Sequence, residues 1–225
     1  DLSESDHLLE VGTGWGGLAC YAAKHYGCRV TTTTISKAQY EVAQQRIVDE
    51  GMQNQVTLLL DDYRDLDGQY SKIVSVEMIE AVGHEFMPEY FRLLDSLLVP
   101  GGKLVIQAIT IEDQRYDDYR KSPDFIQRYI FPGGHLPSVS EICRHIKEQT
   151  SLRLNHLSDY GAHYAETLKI WDDRFSGQRQ AVSKLGFTDD FMRLWHYYFC
   201  YCEGAFLENV IGLAHIETTK SLHAQ

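Results

Sequence analysis

Apolar and polar residues follow one another in a repeating order along the first 110 positions of the chain. A short apolar run, His7 to Val11, leads into a glycine turn and then into residues 18–25, whose composition favours a helix. Similar β-branched runs recur between helical stretches, an alternation that predicts a parallel sheet with helices on both faces. Over the whole chain the predicted strands are His7–Val11, Cys28–Ile35, Val56–Leu60, Ile73–Val76, Lys103–Thr110, Leu152–Leu157 and Ile211–Thr218.

Two of the helices between these strands carry clear end signals. Ser36 offers an N-cap to a helix that runs from Lys37 to about Glu50 and is closed by Gly51. A further helix is predicted over residues 89–98, and a Pro-Gly-Gly break at residues 100–102 separates it from the fifth strand.

The alternation of predicted strands and helices ends after Thr110. Residues 111–150 are polar and aromatic and contain several prolines, with helix predicted only near Val139–Gln149, whereas residues 160–206 are helical in character. No internal repeat or linker is visible. We therefore interpret residues 1–225 as one α/β domain whose seven-stranded sheet is covered by two helical insertions, at about 111–150 and 160–206.

The charge balance limits the classes of partner. The 225 residues include 21 Lys and Arg against 32 Asp and Glu, which gives a net charge of −11. This balance argues against nucleic-acid binding, which needs clustered basic residues. No apolar run approaches the roughly 20 residues that span a bilayer, and no signal peptide is visible. We expect a cytoplasmic protein, with any contact to the inner membrane face local and peripheral.

Cysteine and histidine usage predicts no metal site. The five cysteines are odd in number and unevenly spaced, so we expect buried free thiols. Cys200 and Cys202 lie two positions apart in a helical segment, where their side chains point to different faces. Three histidines near the motifs described below lack metal-ligand spacing and are interpreted as loop or packing residues: His84, His135 and His163.

The glycine turn is a candidate nucleotide site. Glycines at positions 12, 14 and 17 let the backbone approach a ligand and aim the N-terminus of the following helix at it. Glu10 stands two residues before the first glycine, and the second strand ends without the carboxylate that a dinucleotide ribose requires. This pattern favours S-adenosylmethionine over NAD, with a ligand-free tight turn as the remaining alternative.

The loop after the third strand adds a second candidate element. It reads Asp61-Asp62-Tyr63-Arg64, and in a doubly wound sheet such loops line the ligand crevice. An acidic and aromatic pair at this place is suited to adenine, whereas the alternative is a solvated acidic loop.

Several segments, in order, resemble the cyclopropane fatty acid synthase family. The matching residues cover almost the whole chain: Glu10-Val-Gly-Thr-Gly-Trp-Gly-Gly17, Thr34-Ile-Ser-Lys-Ala-Gln39, Asp62-Tyr-Arg-Asp-Leu66, Val76-Glu-Met-Ile-Glu-Ala-Val-Gly83, Tyr129-Ile-Phe-Pro-Gly-Gly-His-Leu-Pro-Ser138, Tyr160-Gly-Ala-His-Tyr164 and Cys202-Glu-Gly-Ala-Phe206.

The resemblance implies a class I methyltransferase with a Rossmann-like fold. Members use S-adenosylmethionine to methylate the cis double bond of unsaturated acyl chains, generally esterified in phospholipid. The resemblance implies cofactor contacts from Gly12, Gly14, Thr34, Ile35, Gln39, Tyr63 and Arg64. Glu10, which precedes the glycine turn, is added to this set as a cofactor-binding candidate.

The resemblance also implies a bound bicarbonate ion as the base. Its ligands match Glu80, Tyr164 and the backbone of Ile109 in this chain. Where the family usually has a histidine, this chain has Gln107, which can form hydrogen bonds but cannot accept a proton at neutral pH.

With Gln107 in place of the usual histidine, two reaction products are compatible with the sequence. Formation of a cyclopropane ring is the first expectation, and a methyl- or methylene-branched fatty acid from the same alkene is the second. A small-molecule methyltransferase and an inactive lipid-binding homologue remain as further alternatives, as does assembly into a homodimer. Aromatic residues of the two insertions are the expected source of an acyl tunnel, although most of them are expected to be core.

The start of the sequence predicts that an upstream part is missing. The chain begins at Asp1, without methionine and a few residues before its first strand. The family carries there a cap segment that covers the cofactor and supplies a cysteine to the bicarbonate site, so we expect a fragment with an open site.

Overall fold

The sheet predicted from the sequence is present in the structure, a computed structural model that describes residues 1–222. Its strands within these residues are β1 (His7–Val11), β2 (Arg29–Thr33), β3 (Val56–Leu59), β4 (Tyr70–Val76), β5 (Leu98–Ile111), β6 (Leu152–Asp159) and β7 (Ile211–Lys220). Their order is β3-β2-β1-β4-β5-β7-β6, with β1 to β5 parallel and β7 antiparallel to both neighbours. The carboxyl ends of β1 to β5 therefore meet at one edge.

Most helices fall where the patterns place them, but the expectation that residues 111–150 are helical only near Val139–Gln149 is wrong. Short helices also form at Tyr116–Tyr119 and Phe125–Tyr129, and Asp124 caps the second of them. In chain order the helices are α1 (Gly17–Tyr26), α2 (Lys37–Asp49), α3 (Met87–Leu97), α4 (Tyr116–Tyr119), α5 (Phe125–Tyr129), α6 (Val139–Gln149), α7 (Gly161–Gly177), α8 (Arg179–Lys184) and α9 (Asp189–Leu207). The predicted cap of α2 is confirmed, because the Ser36 side chain accepts a hydrogen bond from the Gln39 amide.

The predicted break before the fifth strand is wrong, since β5 already begins at Leu98. Leu98 pairs with Tyr70 of β4, and the next paired position is Lys103 opposite Lys72. The residues between them form a bulge in which Gly101 adopts a φ of +77°. The turn signal in the sequence thus marks an irregularity within a strand.

Three clusters of buried side chains hold these layers together. Successive residues of β1 serve opposite faces of the sheet: Leu8 packs with α1 and α2, and Leu9 with α3 and α6. A third cluster joins α7 and α9 to β7, through residues such as Leu168, Phe206 and Leu213. The second insertion is therefore a packed layer above the antiparallel side of the sheet.

The expectation that all five cysteines are buried is wrong for two of them. Cys143 is half-buried and Cys200 is exposed, whereas Cys20, Cys28 and Cys202 are buried. Along a helix, positions 200 and 202 face different directions, which explains their different exposure. Within residues 1–222, no helix combines the length and apolar character needed to cross a bilayer.

Candidate functional site

The glycine turn connects β1 to α1 in a conformation that only glycine adopts readily. Gly12, Gly14 and Gly16 all have positive φ, at +100°, +53° and +80°. A Cβ built on Gly14 would meet no atom within 4 Å, whereas one on Gly16 would lie 3.0 Å from the Ala43 Cβ. Gly16 is thus required for packing of α1 against α2, and Gly14 leaves open space beside the start of α1.

Glu10 lies beneath this turn. Its side chain is 3% exposed, and Oε2 accepts a hydrogen bond of 2.6 Å from the Thr32 hydroxyl. The Thr32 oxygen in turn lies 2.7 Å from the Thr13 hydroxyl, within the turn itself. Burial raises the pKa of Glu10 to about 7, although the Thr32 hydrogen bond acts in the opposite direction. The carboxyl group therefore ties the turn to β2.

The residues expected to contact the cofactor lie just after strands β2 and β3. The Thr34 hydroxyl donates to the Gln39 side-chain oxygen at 2.9 Å, and Ile35 between them is 77% exposed. After β3, the Tyr63 ring packs edge-on against Tyr90, with ring centroids 5.7 Å apart. These side chains are held at the same sheet edge as the glycine turn.

Arg64 is engaged by its neighbour Asp62. The guanidinium donates to both Asp62 oxygens, at 2.9 and 2.8 Å, and the same carboxylate caps the short 3₁₀ turn at Tyr63–Asp65. These hydrogen bonds lower the pKa of Asp62 to about 2. Asp62 therefore engages both the guanidinium and the backbone amide of Arg64.

Glu80 carries a buried carboxyl group in the short 3₁₀ turn Ile79–Ala81, which follows β4. Its Oε1 accepts a hydrogen bond of 2.6 Å from the Ile109 amide, and its buried Oε2 has no partner among residues 1–222. Desolvation raises the pKa of Glu80 to about 7, against the effect of the backbone hydrogen bonds. A half-protonated carboxyl group with one unpaired oxygen is thus available near neutral pH.

A second carboxylate, Glu77, organises the other expected catalytic residues. Its Oε1 accepts from the Gln107 amide nitrogen at 2.7 Å, and its Oε2 accepts from the Tyr164 hydroxyl at 2.9 Å. The remaining oxygen of Gln107 lies 2.7 Å from His215 Nε2, which acts as the donor in this arrangement. Burial, followed by the charge of Glu77, raises the pKa of Tyr164, so the phenol stays protonated.

A cavity of about 940 Å³ extends from these two carboxyl groups. Its walls come from β5, from the loop after α5, and from α7 and α9. Many of its lining side chains are apolar or aromatic, among them Ile130, Phe131, Tyr198 and Phe206, and charged side chains such as Asp118 and Asp124 also line it. The cavity has the size and lining of a small-molecule or acyl-chain site.

Met78 links the glycine turn to the residues that line the cavity. A Cβ built on Gly12 would lie 3.4 Å from the Met78 Cγ, and Met78 directly follows Glu77, which lines the cavity. The turn therefore lies near the Glu77 end of the cavity.

Comparisons with known proteins agree with this geometry. The model of the family described as "Mycolic acid cyclopropane synthetase" matches residues 1–216. The chain belongs to this family.

Similar proteins include two curated relatives and a solved structure. The chain is 43% identical over 205 residues to "Tuberculostearic acid methyltransferase UfaA1" of Mycobacterium tuberculosis, covering 91% of the chain and 48% of that protein. It is 38% identical over 212 residues to "Cyclopropane-fatty-acyl-phospholipid synthase" of Escherichia coli K12, covering 94% and 53%. The chain thus spans about half the length of these curated relatives.

The structure of mycolic acid cyclopropane synthase CmaA1 complexed with SAH and CTAB superimposes with a TM-score of 0.88. The identity is 26%, and the match covers 97% of this chain and 79% of that one. The chain therefore has the class I methyltransferase fold of the cyclopropane synthetase family.

The structure brings together most of the residues that the resemblance to this family predicts. Glu80 contacts Ile109 directly, whereas Gln107 and Tyr164 meet only through Glu77. Glu10 lies under the turn, apart from its open face. The cofactor contacts assigned to these and the other turn residues stay predictions.

Glu77 is the residue that the sequence analysis missed. It directly follows β4 at the carboxyl edge of the sheet, and its φ is +49°, unusual for a residue other than glycine. Its position at the end of a parallel strand was the only available signal, because its partners lie 30 and 87 residues away in sequence.

The three histidines expected to be loop or packing residues divide in the structure. His84 and His135 both contact the Tyr116 hydroxyl, at 2.7 and 3.0 Å. Burial lowers the pKa of His135 to about 4, so this histidine is neutral. His163 contacts the Tyr160 ring at a centroid distance of 6.0 Å. Of the three, His135 is buried and packs in the interior, His84 is half-buried and His163 is exposed.

Proposed function

We propose that this chain transfers a methyl group from S-adenosylmethionine to the cis double bond of an unsaturated fatty acyl chain, esterified in phospholipid. The observation that carries the proposal is the cavity, which Glu77, Glu80 and many apolar and aromatic side chains line, and which Met78 separates from the glycine turn. Family membership supports the same reaction class.

The residues of the turn fit the cofactor. The open space at Gly14 admits a ligand backbone, and Thr34, Gln39 and Tyr63 offer polar and aromatic contacts in place of a ribose carboxylate. When bound, S-adenosylmethionine supplies an electrophilic methyl group on a sulfonium sulfur. The part of this chain is to hold it with that methyl group toward the carboxyl end of the cavity.

Methyl transfer leaves a positive charge on one alkene carbon, and the two carboxyl groups have different roles toward this cation. Glu77, fixed by Gln107 and Tyr164, places a negative charge beside the developing cation. Glu80 has an unpaired oxygen and a pKa of about 7, which suits a group that accepts a proton at neutral pH. The apolar wall of the cavity excludes water that would otherwise add to the cation.

The donors expected for bicarbonate are already engaged by these carboxyl groups. The Ile109 amide donates to Glu80, and both Gln107 and Tyr164 donate to Glu77. An added anion would also lie against two carboxyl groups, which disfavours its ionised form. We infer that this arrangement leaves only the unpaired oxygen of Glu80 for bicarbonate, and we assign the proton transfer to Glu80 itself.

A branched product is a second candidate, favoured by Glu77. A ring closes when the transferred methyl group loses a proton and bonds to the neighbouring cationic carbon. A methylene branch forms when a hydride first moves from the methylated carbon to that cationic carbon, before the proton is lost. A fixed carboxylate stabilises the cation and so gives time for the hydride shift.

The acyl chain would enter beside Phe131, which lines the cavity and is 53% exposed. We propose that this side of the molecule makes the peripheral membrane contact. The homodimer and the cytoplasmic location stay predictions.

The test uses methyl-labelled S-adenosylmethionine with vesicles of dioleoyl or distearoyl phosphatidylcholine. We expect label in the fatty acids of the dioleoyl vesicles only, and NMR of those fatty acids distinguishes ring from methylene carbons. Equal labelling of both lipids, or labelling of neither with cofactor binding intact, would contradict the proposal. Labelling of a non-lipid acceptor would favour the small-molecule alternative.

A further inference from the structure

Outside the cavity, α7 and α9 bring three possible metal ligands together. Asp172 lies on α7, and His196 and Cys200 lie on α9. The His196 Nδ1 is 2.8 Å from Asp172 Oδ1, and the Cys200 Sγ is 3.9 Å from either ring nitrogen. One ligand atom of each residue lies within 4.8 Å of the other two.

Small movements convert these distances to those of a tetrahedral zinc site. With zinc bonds of about 2.0–2.3 Å, neighbouring ligand atoms lie about 3.4–3.6 Å apart. The oxygen and nitrogen therefore need to separate by about 0.6 Å, and the sulfur needs to approach the nitrogen by about 0.3 Å and the carboxylate oxygen by at most about 1.2 Å. Side-chain rotations suffice, because His196 and Cys200 are four residues apart on one helix face.

The chemistry of the set also favours zinc. A carboxylate, an imidazole and a thiol are all ordinary zinc ligands, whereas calcium and magnesium prefer oxygen alone. The side chain of His196 is 59% exposed and that of Asp172 is 17% exposed, so an ion reaches the group from solvent. One tetrahedral position remains for water.

The surrounding charge is negative. Asp172 and Glu203 both place negative charge near the Cys200 thiol. This charge attracts a divalent cation, and on binding the cation the thiol releases its proton to solvent.

We propose that Asp172, His196 and Cys200 bind one Zn²⁺ ion, which fastens α9 to α7. These helices also supply Tyr164, Tyr198 and Phe206 to the cavity wall, so the ion would stabilise that wall from outside. The sequence analysis predicted no metal site, since one ligand comes from a helix 24 residues earlier in the chain.

The test measures Zn²⁺ binding by titration calorimetry in the chain and in the variants Asp172→Asn, His196→Ala and Cys200→Ser. We expect one equivalent to bind, and each variant to weaken the affinity at least about tenfold. Cys143→Ser and His156→Ala remove a thiol and an exposed imidazole elsewhere and should bind as the parent does.

Co²⁺ gives an independent readout. A thiolate-to-cobalt absorption band should appear in the parent and in Cys143→Ser and be absent from Cys200→Ser. A parent that does not bind Zn²⁺, or a Cys200→Ser variant with unchanged affinity and cobalt spectrum, would overturn the proposal. His196 and Asp172 would then form a hydrogen-bonded pair only.

Discussion

The molecule contains two buried glutamates near its ligand-binding edge, and they have different surroundings. Burial raises the pKa of both Glu10 and Glu80 to about 7. Glu10 accepts a hydrogen bond from Thr32 and lies beneath the glycine turn, whereas Glu80 keeps an unpaired oxygen and lines the cavity. A shifted pKa alone therefore does not mark a catalytic group, and the partners of its oxygens decide between support and chemistry.

The largest expected effect separates these two residues directly. Glu80→Gln removes the proton acceptor, so we expect turnover to fall by about 10²–10⁴-fold with cofactor affinity unchanged. Single-turnover kinetics and calorimetry measure the two quantities. Glu10→Gln is the matched control, since an amide oxygen can still accept the Thr32 hydrogen bond, and its chemical step should stay within a few-fold of the parent. Equal losses of turnover in both variants would show that the two glutamates do not differ in role.

The glycine turn gives the next largest effect. Gly14→Val fills the open space beside α1 and forces a branched residue to a φ of +53°, so we expect cofactor affinity to fall at least about 100-fold. Calorimetry with S-adenosylmethionine checks this.

Gly51→Val is the control for backbone strain. Gly51 has a φ of +72° and likewise no atom within 4 Å of a built Cβ, but it lies at the end of α2. Similar affinity losses in the two variants would show that strain, and not occupation of a ligand site, explains the result at Gly14.

The pH dependence of stability is the third test. The pKa values of Glu10 and Glu80 rise from 4.5 to about 7 on folding, so the folded state binds more protons between these values. Each group therefore lowers the free energy of unfolding as pH rises from 4.5 to 7, by an amount on the order of 3 kcal/mol. Urea unfolding at several pH values measures this dependence, and the free energy of unfolding should fall less with rising pH in each Glu→Gln variant than in the parent. Parallel curves for parent and variants would mean that the carboxyl groups are not desolvated.

The smallest expected effect concerns Glu77. Glu77→Gln keeps the size of the side chain but removes its charge, so we expect about tenfold slower turnover and a larger share of ring product. Product analysis by NMR measures both. The exposed Glu148, which pairs with Arg144, provides a control in Glu148→Gln. An unchanged rate and product ratio would show that the charge of Glu77 has no part in the reaction.

The parts of the fold that depend on local pattern were predictable from the sequence. Glycines at positive φ, the Ser36 cap and alternating apolar runs placed the turn, α2 and the seven strands. The bulge in β5 was not predictable, because the register of Leu98 opposite Tyr70 depends on pairing between strands.

The candidate site likewise contains residues that local motifs predict and contacts that depend on distant parts of the chain. Glu80 and the glycine turn follow from motifs, but the contact of Glu77 with Tyr164 joins two elements 87 residues apart. The cluster of Asp172 with His196 and Cys200 likewise requires the packing of α7 against α9. Such contacts leave no periodic signal along the chain.

The central claim is that the proton acceptor belongs to the chain itself. Initial rates of methyl transfer to dioleoyl phosphatidylcholine, measured in buffer freed of carbon dioxide and again with added bicarbonate, test this claim most directly. The account predicts equal rates within about twofold, because Glu80 accepts the proton and its neighbouring donors are already engaged. A reaction that stops without bicarbonate and recovers when it is added would contradict it.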